Sequence, residues 1–164
     1  MKKVSILLFS VLVFAVQAHA QKSPPAKAEG EISGASIKIN YHQPSARGRT
    51  MIGGEKVPYG KVWRTGANNA TTFEINKDIK VEGKKLAKGK YALFTIPGEK
   101  EWTIIFNSVP DQWGAYDYDE SKDVLRVKVK GDKPAEYVET FTISMENNAI
   151  AMAWENSLVK FDIE

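Results

Sequence analysis

Between residues 36 and 163, outside residues 41–70 and 108–123, the apolar side chains recur mostly at every second position, and no stretch of ten residues sustains a 3.6-residue period. Alternation of this kind belongs to a half-buried β-strand, because successive Cβ atoms of a strand point to opposite faces of the sheet. Residues 36–41 (SIKINY) show it first, and residues 71–75 (TTFEI) add a short segment of branched and aromatic types. Ile79-Lys80-Val81-Glu82 meets Gly83, and residues 90–96 run into Pro97-Gly98-Glu99-Lys100. Proline pre-sets φ in such a turn and glycine accepts a positive φ. The returning segment, residues 101–107, puts Trp102, Ile104 and Phe106 on one face. Further on, Leu125, Val127 and Val129 share a face, as do Tyr137, Phe141, Ile143 and Met145. An Asn147-Asn148 turn leads to Ile150, Met152 and Trp154, and Val159, Phe161 and Ile163 close the chain. The pattern predicts an all-β, single-domain antiparallel β-sandwich or jelly-roll-like barrel of eight or nine strands. One long structured loop interrupts it. Residues 41–70 hold five glycines and two prolines, with room for at most one short strand around Val62. Long loops inside compact domains are uncommon and often functional.

The first residues follow a different logic. Lys2 and Lys3 precede an apolar run over residues 4–16, and Ala18-His19-Ala20 supplies the small-x-small pattern of a cleavage site. Residues 1–20 are therefore expected to be a cleaved signal peptide, since the run is too short to cross about 30 Å of hydrocarbon as a helix. Residues 21–30 (QKSPPAKAEG) read as a flexible linker, and residues 31–164 as the β-sandwich domain. The expected location is periplasmic or secreted, with no integral membrane segment after cleavage. The chain contains no cysteine, which excludes disulfides, thiolate metal sites, a cysteine nucleophile and a lipid-modified cysteine. Stability must come from packing, which the remaining length of about 140 residues can supply.

Total charge says little. Removing Lys2 and Lys3 from the 23 basic residues leaves 21 against 20 acids, so nucleic acid is a poor partner for this chain. The distribution says more. Residues 41–69 contain Arg47, Arg49, Lys56, Lys61 and Arg64 against Glu55 alone, whereas residues 111–123 contain Asp111, Asp117, Asp119, Glu120 and Asp123 against Lys122. Either the two segments balance each other, or the arginines form an anion site. A guanidinium grips carboxylate or phosphate through two parallel hydrogen bonds, which gives the second reading its chemistry. Tyr41, His42, Trp63 and Asn68 accompany Arg47, Arg49 and Arg64 in the basic segment and would add donors, acceptors and an apolar wall. The four tryptophans invite a carbohydrate reading. Trp102 and Trp154 alternate as core residues do, so Trp113, in the loop Gln112-Trp113-Gly114-Ala115-Tyr116, is the one left for a site.

Other chemistries find little support. Asp117, Asp119, Ser121 and Asp123 have the first spacings of a calcium loop, but Lys122 replaces the glycine and Lys128 the bidentate glutamate. Beyond the leader His42 is the only histidine, which rules out a histidine-rich metal site. A serine hydrolase would need His42 with Ser45 or Asp111, and no G-x-S-x-G elbow is present. No cofactor motif occurs.

Several runs are distinctive in their own right. Tyr41-x-x-Pro44-Ser45-x-x-Gly48-Arg49, residues 57–68 (VPYGKVWRTGAN), residues 89–98 (GKYALFTIPG) and Gln112-Trp113-Gly114 together resemble an exported bacterial family, the domain of unknown function numbered 2911. The resemblance covers nearly the whole chain from about Ser33 to Ile163. It implies export and a single β-rich domain, and brings no activity, substrate or cofactor with it. The expected function is an exported, non-enzymatic binding module for a small anionic ligand or acidic sugar. Its site would comprise Tyr41, His42, Arg47, Arg49, Trp63, Arg64, Asn68 and Trp113. The alternatives are a structural or protein-interaction domain, in which Arg64 pairs with an acid of residues 111–123, and a hydrolase using His42.

Overall fold

The computed structural model describes residues 22–164; the expected signal peptide lies outside them. Eleven strands follow in order: β1 (Pro25–Ile32), β2 (Ala35–His42), β3 (Thr71–Ile75), β4 (Ile79–Val81), β5 (Lys84–Leu86) and β6 (Gly89–Ile96). Then come β7 (Glu101–Asn107), β8 (Asp123–Asp132), β9 (Val138–Glu146), β10 (Ala149–Glu155) and β11 (Ser157–Asp162), with a 3₁₀ turn at Glu120–Lys122 before β8. Nine of them make one antiparallel sheet, in the order β1-β2-β3-β6-β7-β8-β11-β10-β9, which curls until it nearly closes into a barrel. Strands β4 and β5 form a separate hairpin, stitched to the chain end by Lys80 and Glu164, whose backbones exchange hydrogen bonds of 2.8 and 2.9 Å. The all-β prediction and its barrel form both hold.

The two edges of the sheet meet. Gly30 of β1 lies so near β9 that a Cβ there would stand 2.9 Å from the Met145 sulfur. Just past β2 the chain crosses the seam. Ala46 donates its N–H to the Glu139 carbonyl and Phe141 donates to the Pro44 carbonyl, each at 2.9 Å. Closure satisfies backbone groups that an open edge would leave unpaired.

The interior is filled with side chains. Trp63 stacks on Trp154 at 5.7 Å and meets Phe141 edge-on at 5.0 Å, while Phe73 packs on Phe106 at 5.0 Å. The inward sets Trp102, Ile104 and Phe106; Leu125, Val127 and Val129; and Ile150, Met152 and Trp154 are all buried, as the alternation predicts. Strands β6 and β7 are buried on their outer face too. There Ala92, Phe94 and Ile105 carry Ala115 and Tyr118 of the acidic segment, with Tyr118 edge-on to Phe94 at 5.0 Å. The acidic segment is therefore a cover over the barrel wall.

Two readings of the sequence are corrected. Residues 25–30, expected within the linker, form most of β1 and pair with β2 from Pro25↔His42 onward. Ala26, Ala28 and Gly30 share a face of this strand on which only Ala28 is buried before Ile32, too little apolar bulk to register as a hydrophobic pattern. Tyr137, expected on the inner face with Phe141, precedes β9 and is exposed. The loop over residues 43–70 is as irregular as expected, with Trp63 bridging Thr95 beside Val62.

Candidate functional site

The basic loop is pinned at both ends of its Trp63–Thr71 turn. Trp63 exchanges backbone hydrogen bonds with Thr95 at 2.7 and 2.9 Å, and its indole N–H donates to the Gly66 carbonyl at 3.0 Å. Thr71 donates its hydroxyl to the Thr65 carbonyl at 2.6 Å and its N–H to the Arg64 carbonyl at 3.1 Å. Trp63 points inward into the aromatic core, so its neighbour Arg64 is carried to the outer face by strand alternation.

There the loop meets the cover. Asn69 and Trp113 form a β-bridge, Ala70 donates to the Gln112 carbonyl at 3.0 Å, and Gly114 donates to the Asn68 carbonyl at 3.1 Å. Asn68 holds φ at 60°, a left-handed conformation that asparagine tolerates. Its side-chain amide donates to the Ser23 carbonyl at 3.4 Å. Gly114 has φ of 67°, and a Cβ on it would lie 2.7 Å from Arg64 Nη1 and 3.0 Å from Tyr116 Cε2. Glycine is thus required where the guanidinium and the phenol ring crowd the same backbone. Trp113 and Tyr116 stand out to solvent, 60% and 79% exposed.

Arg64 makes no ion pair among the described residues, and its Nε is buried without a hydrogen-bond partner there. Three of the five acids in the covering segment are engaged elsewhere. Asp111 pairs with Lys90 at 3.2 Å, Glu120 with Arg126 at 3.0 Å, and Asp123 with Arg126 at 2.7 Å. Gln112 offers a second buried, unpaired atom at this corner. Its Nε2 donates to the Val109 carbonyl at 2.6 Å and to Asn107 Oδ1 at 3.3 Å, and its Oε1 has no partner among the described residues. Buried polar groups are nearly always satisfied by protein, water or ligand, so each of these two atoms calls for a partner from outside the described residues.

The remaining predicted residues scatter. Tyr41 and Trp63 sit in the core, with the Tyr41 hydroxyl accepting from the Ile143 N–H at 3.1 Å and its ring edge-on to Phe141. Arg49 folds back on its own loop, donating to the Ala46 carbonyl at 2.9 Å and the Ser45 carbonyl at 3.1 Å. Arg47, exposed at φ 52°, donates its backbone N–H to Glu139 at 2.6 Å on the β9 side. His42 borders the corner through its backbone, its carbonyl accepting from Ala67 at 3.3 Å. Ser45 shares a 2.9 Å hydrogen bond with Thr140, and Asp111 pairs with Lys90, so neither is joined to His42. In the calcium-like segment, Asp119 caps the Ser121 N–H at 2.9 Å and Asp123 serves Asn107, Tyr118 and Arg126.

Arg64, Asn68 and Trp113 thus come together with Gln112, Gly114 and Tyr116, in segments whose residues match a family profile described as a protein of unknown function (DUF2911) across positions 23–163. The chain belongs to this family. No curated protein and no solved structure matches it. Among the described residues no helix is long and apolar enough to cross a membrane. Gln112, Gly114 and Tyr116 are the parts of this DUF2911 corner absent from the expected site, and Tyr116 is the exposed aromatic among them. The signal was available in its place two residues beyond Gly114, but the crossing of Arg64 beneath that glycine is a tertiary fact.

Proposed function

We propose that this DUF2911 chain is an exported binding module for a small anionic ligand, a carboxylate or an acidic sugar, held at the Arg64 corner. One observation carries the reading: a half-buried guanidinium with no acidic partner among the described residues and a buried, unpaired Nε. A guanidinium that no acid of the described residues pairs with is suited to a carboxylate, and hydrogen bonds to charged groups contribute roughly 1.5–3 kcal/mol each. Trp113 and Tyr116 supply aromatic faces beside it. The structural alternative requires Arg64 to pair with an acid of residues 111–123, and those that form ion pairs do so with Lys90 and Arg126. Export is read from Lys2, Lys3, the apolar run and Ala18-His19-Ala20.

Calorimetric titration of the purified protein with small dicarboxylates and uronic acids tests the proposal. Saturable heat is expected, weakened about tenfold or more by Arg64→Ala. Arg49→Ala, whose guanidinium serves loop carbonyls, should leave affinity within about twofold. Equal affinity in wild type and Arg64→Ala would place the ligand elsewhere and end the reading.

A further inference from the structure

The barrel has an open mouth, and its rim is built from four segments that lie far apart in sequence. The β6–β7 turn, the end of β8, the β10–β11 turn and residues 50–59 of the long loop surround a cleft of about 550 Å³. That volume is within the range of roughly 300–1,000 Å³ usual for small-molecule sites, and barrel mouths are a preferred place for them. No residue of the Arg64 corner lines it.

The rim is held rigidly. Gly60 donates to the Pro97 carbonyl and Gly131 to the Lys100 carbonyl, each at 2.8 Å. Glu155 ties the third and fourth segments together. It stands at the register shift of β10 with φ of 54°, is 8% exposed, and accepts from the N–H groups of Met51 at 3.0 Å and Ile52 at 2.8 Å. A non-glycine residue held at positive φ is strained, and such strain concentrates where a site must be pre-shaped. A pre-shaped cleft loses less ordering entropy when a ligand enters.

The lining combines an aromatic platform with polar groups, among them Asp132, whose Oδ1 accepts from the Lys133 N–H at 2.8 Å and whose side chain is otherwise exposed. The Tyr59 ring lies flat enough on Gly53, which has φ of 77°, that a Cβ there would stand 2.6 Å from ring carbons. One face of the ring is therefore fixed while the residue stays exposed and lines the cleft. Trp102 forms part of the floor. Around them stand Glu99, Asp132, Asn156 and Ser157, and the carboxylates Glu99, Asp132 and Glu155 outnumber Lys133. Aromatic faces accept the C–H face of a sugar ring, while carboxylates and amides accept its hydroxyl protons. The excess of negative charge disfavours an acidic ligand.

From this lining we propose that the barrel mouth is a second binding site, one that takes a neutral or aminated saccharide. Glu155 acts as a positioning residue that fixes the rim, and Tyr59 and Asp132 make the direct contacts. The test is titration of the purified protein with cellobiose, the glucosamine disaccharide and glucuronic acid, followed by calorimetry and tryptophan fluorescence. The two non-acidic disaccharides should bind saturably, with Tyr59→Ala and Asp132→Asn each weakening them roughly tenfold. Arg64→Ala should leave their affinity within about twofold, which separates this site from the anion corner. Tyr59 and Asp132 are exposed, so thermal melts of both variants should match wild type. Absence of saturable binding by either disaccharide up to roughly 10 mM would overturn the proposal. So would binding that both variants leave intact, or preference for glucuronic acid.

Discussion

Two arginines project from the outer wall of the barrel toward the same covering segment, and they meet opposite fates. Arg126 of β8 is surrounded by acceptors: it donates to Asp123 at 2.7 Å, to the Tyr118 hydroxyl at 2.7 Å, and pairs with Glu120 at 3.0 Å. Asp123 in turn accepts from Tyr118 at 2.5 Å and from Asn107 at 2.8 Å, and its side chain is only 6% exposed. Arg64, under the same cover, has no acid beside it and a buried Nε with no partner among the described residues. A guanidinium supplied with carboxylates by its own chain is a fastener, and removing one partner strands the rest. A guanidinium left without them holds its binding capacity for something outside the chain. On the reading proposed above, the difference gives Arg126 a part in stability and Arg64 a part in recognition, and both can be broken.

The largest effect should come from Asp123→Ala, which strands Arg126, Tyr118 and Asn107 together. We expect a loss of roughly 2–4 kcal/mol in chemical denaturation, below the full cost of a buried pair because Arg126 is partly exposed. Arg64→Ala should leave the denaturation midpoint nearly unchanged by the same measurement, and a comparable loss there would erase the contrast. Next, Arg64→Lys keeps the charge but loses the planar fork, so anion affinity by calorimetry should fall about tenfold with stability preserved. A lysine variant that bound as well would mean that charge alone is read at this corner.

Tyr118→Phe comes third, at about 1 kcal/mol, and carries a pH signature. Burial and the hydrogen bond to Asp123 push the Tyr118 hydroxyl up to about 12 from its ordinary value of 10.0. The folded state therefore holds this proton more tightly than the unfolded one. Its contribution is fully present below pH 10 and is lost as pH rises through 12. Alkaline unfolding of wild type should show that fall between the two values, and the phenylalanine variant should show a shallower one. The smallest effect tests the comparison from the other side. Tyr116→Glu places a carboxylate beside the unpaired guanidinium, making Arg64 resemble Arg126. Stability should change by about 0–1 kcal/mol, while competition from the new side chain weakens anion binding measured in parallel.

The alternation of apolar residues was enough to reveal β2, β3, β4 and β7 to β11, because burial on one face writes itself into a period of two, while β6, buried on both faces, showed as an apolar run ending at Pro97-Gly98. It failed at β1, where alanine and glycine suffice against the seam and leave no hydrophobic trace. The candidate corner was half legible. Arg64, Asn68 and Trp113 stood out by type, whereas Tyr41 and Trp63 were indistinguishable from site residues until the barrel closed around them. Glu155 and Tyr59 drew no notice at all. Nothing local distinguishes a glutamate at a strand end that solvent covers from one that a loop 100 residues away covers with its N–H groups.

The sequence alone determined an all-β domain, its family, and a basic loop and an acidic segment of opposite and equal net charge. These are consequences of periodicity, composition and local charge, which do not depend on where the chain ends up. Whether the two charged segments would neutralise each other was decided only by the tertiary structure. Closing the sheet set Lys90 and Arg126, not Arg64, against Asp111, Glu120 and Asp123. Pairing over a few ångströms depends on which strands become neighbours, and the order β3-β6-β7-β8 is a property of the closed barrel. The mouth cleft has the same origin, since its rim joins turns that share one end of the barrel and no stretch of sequence.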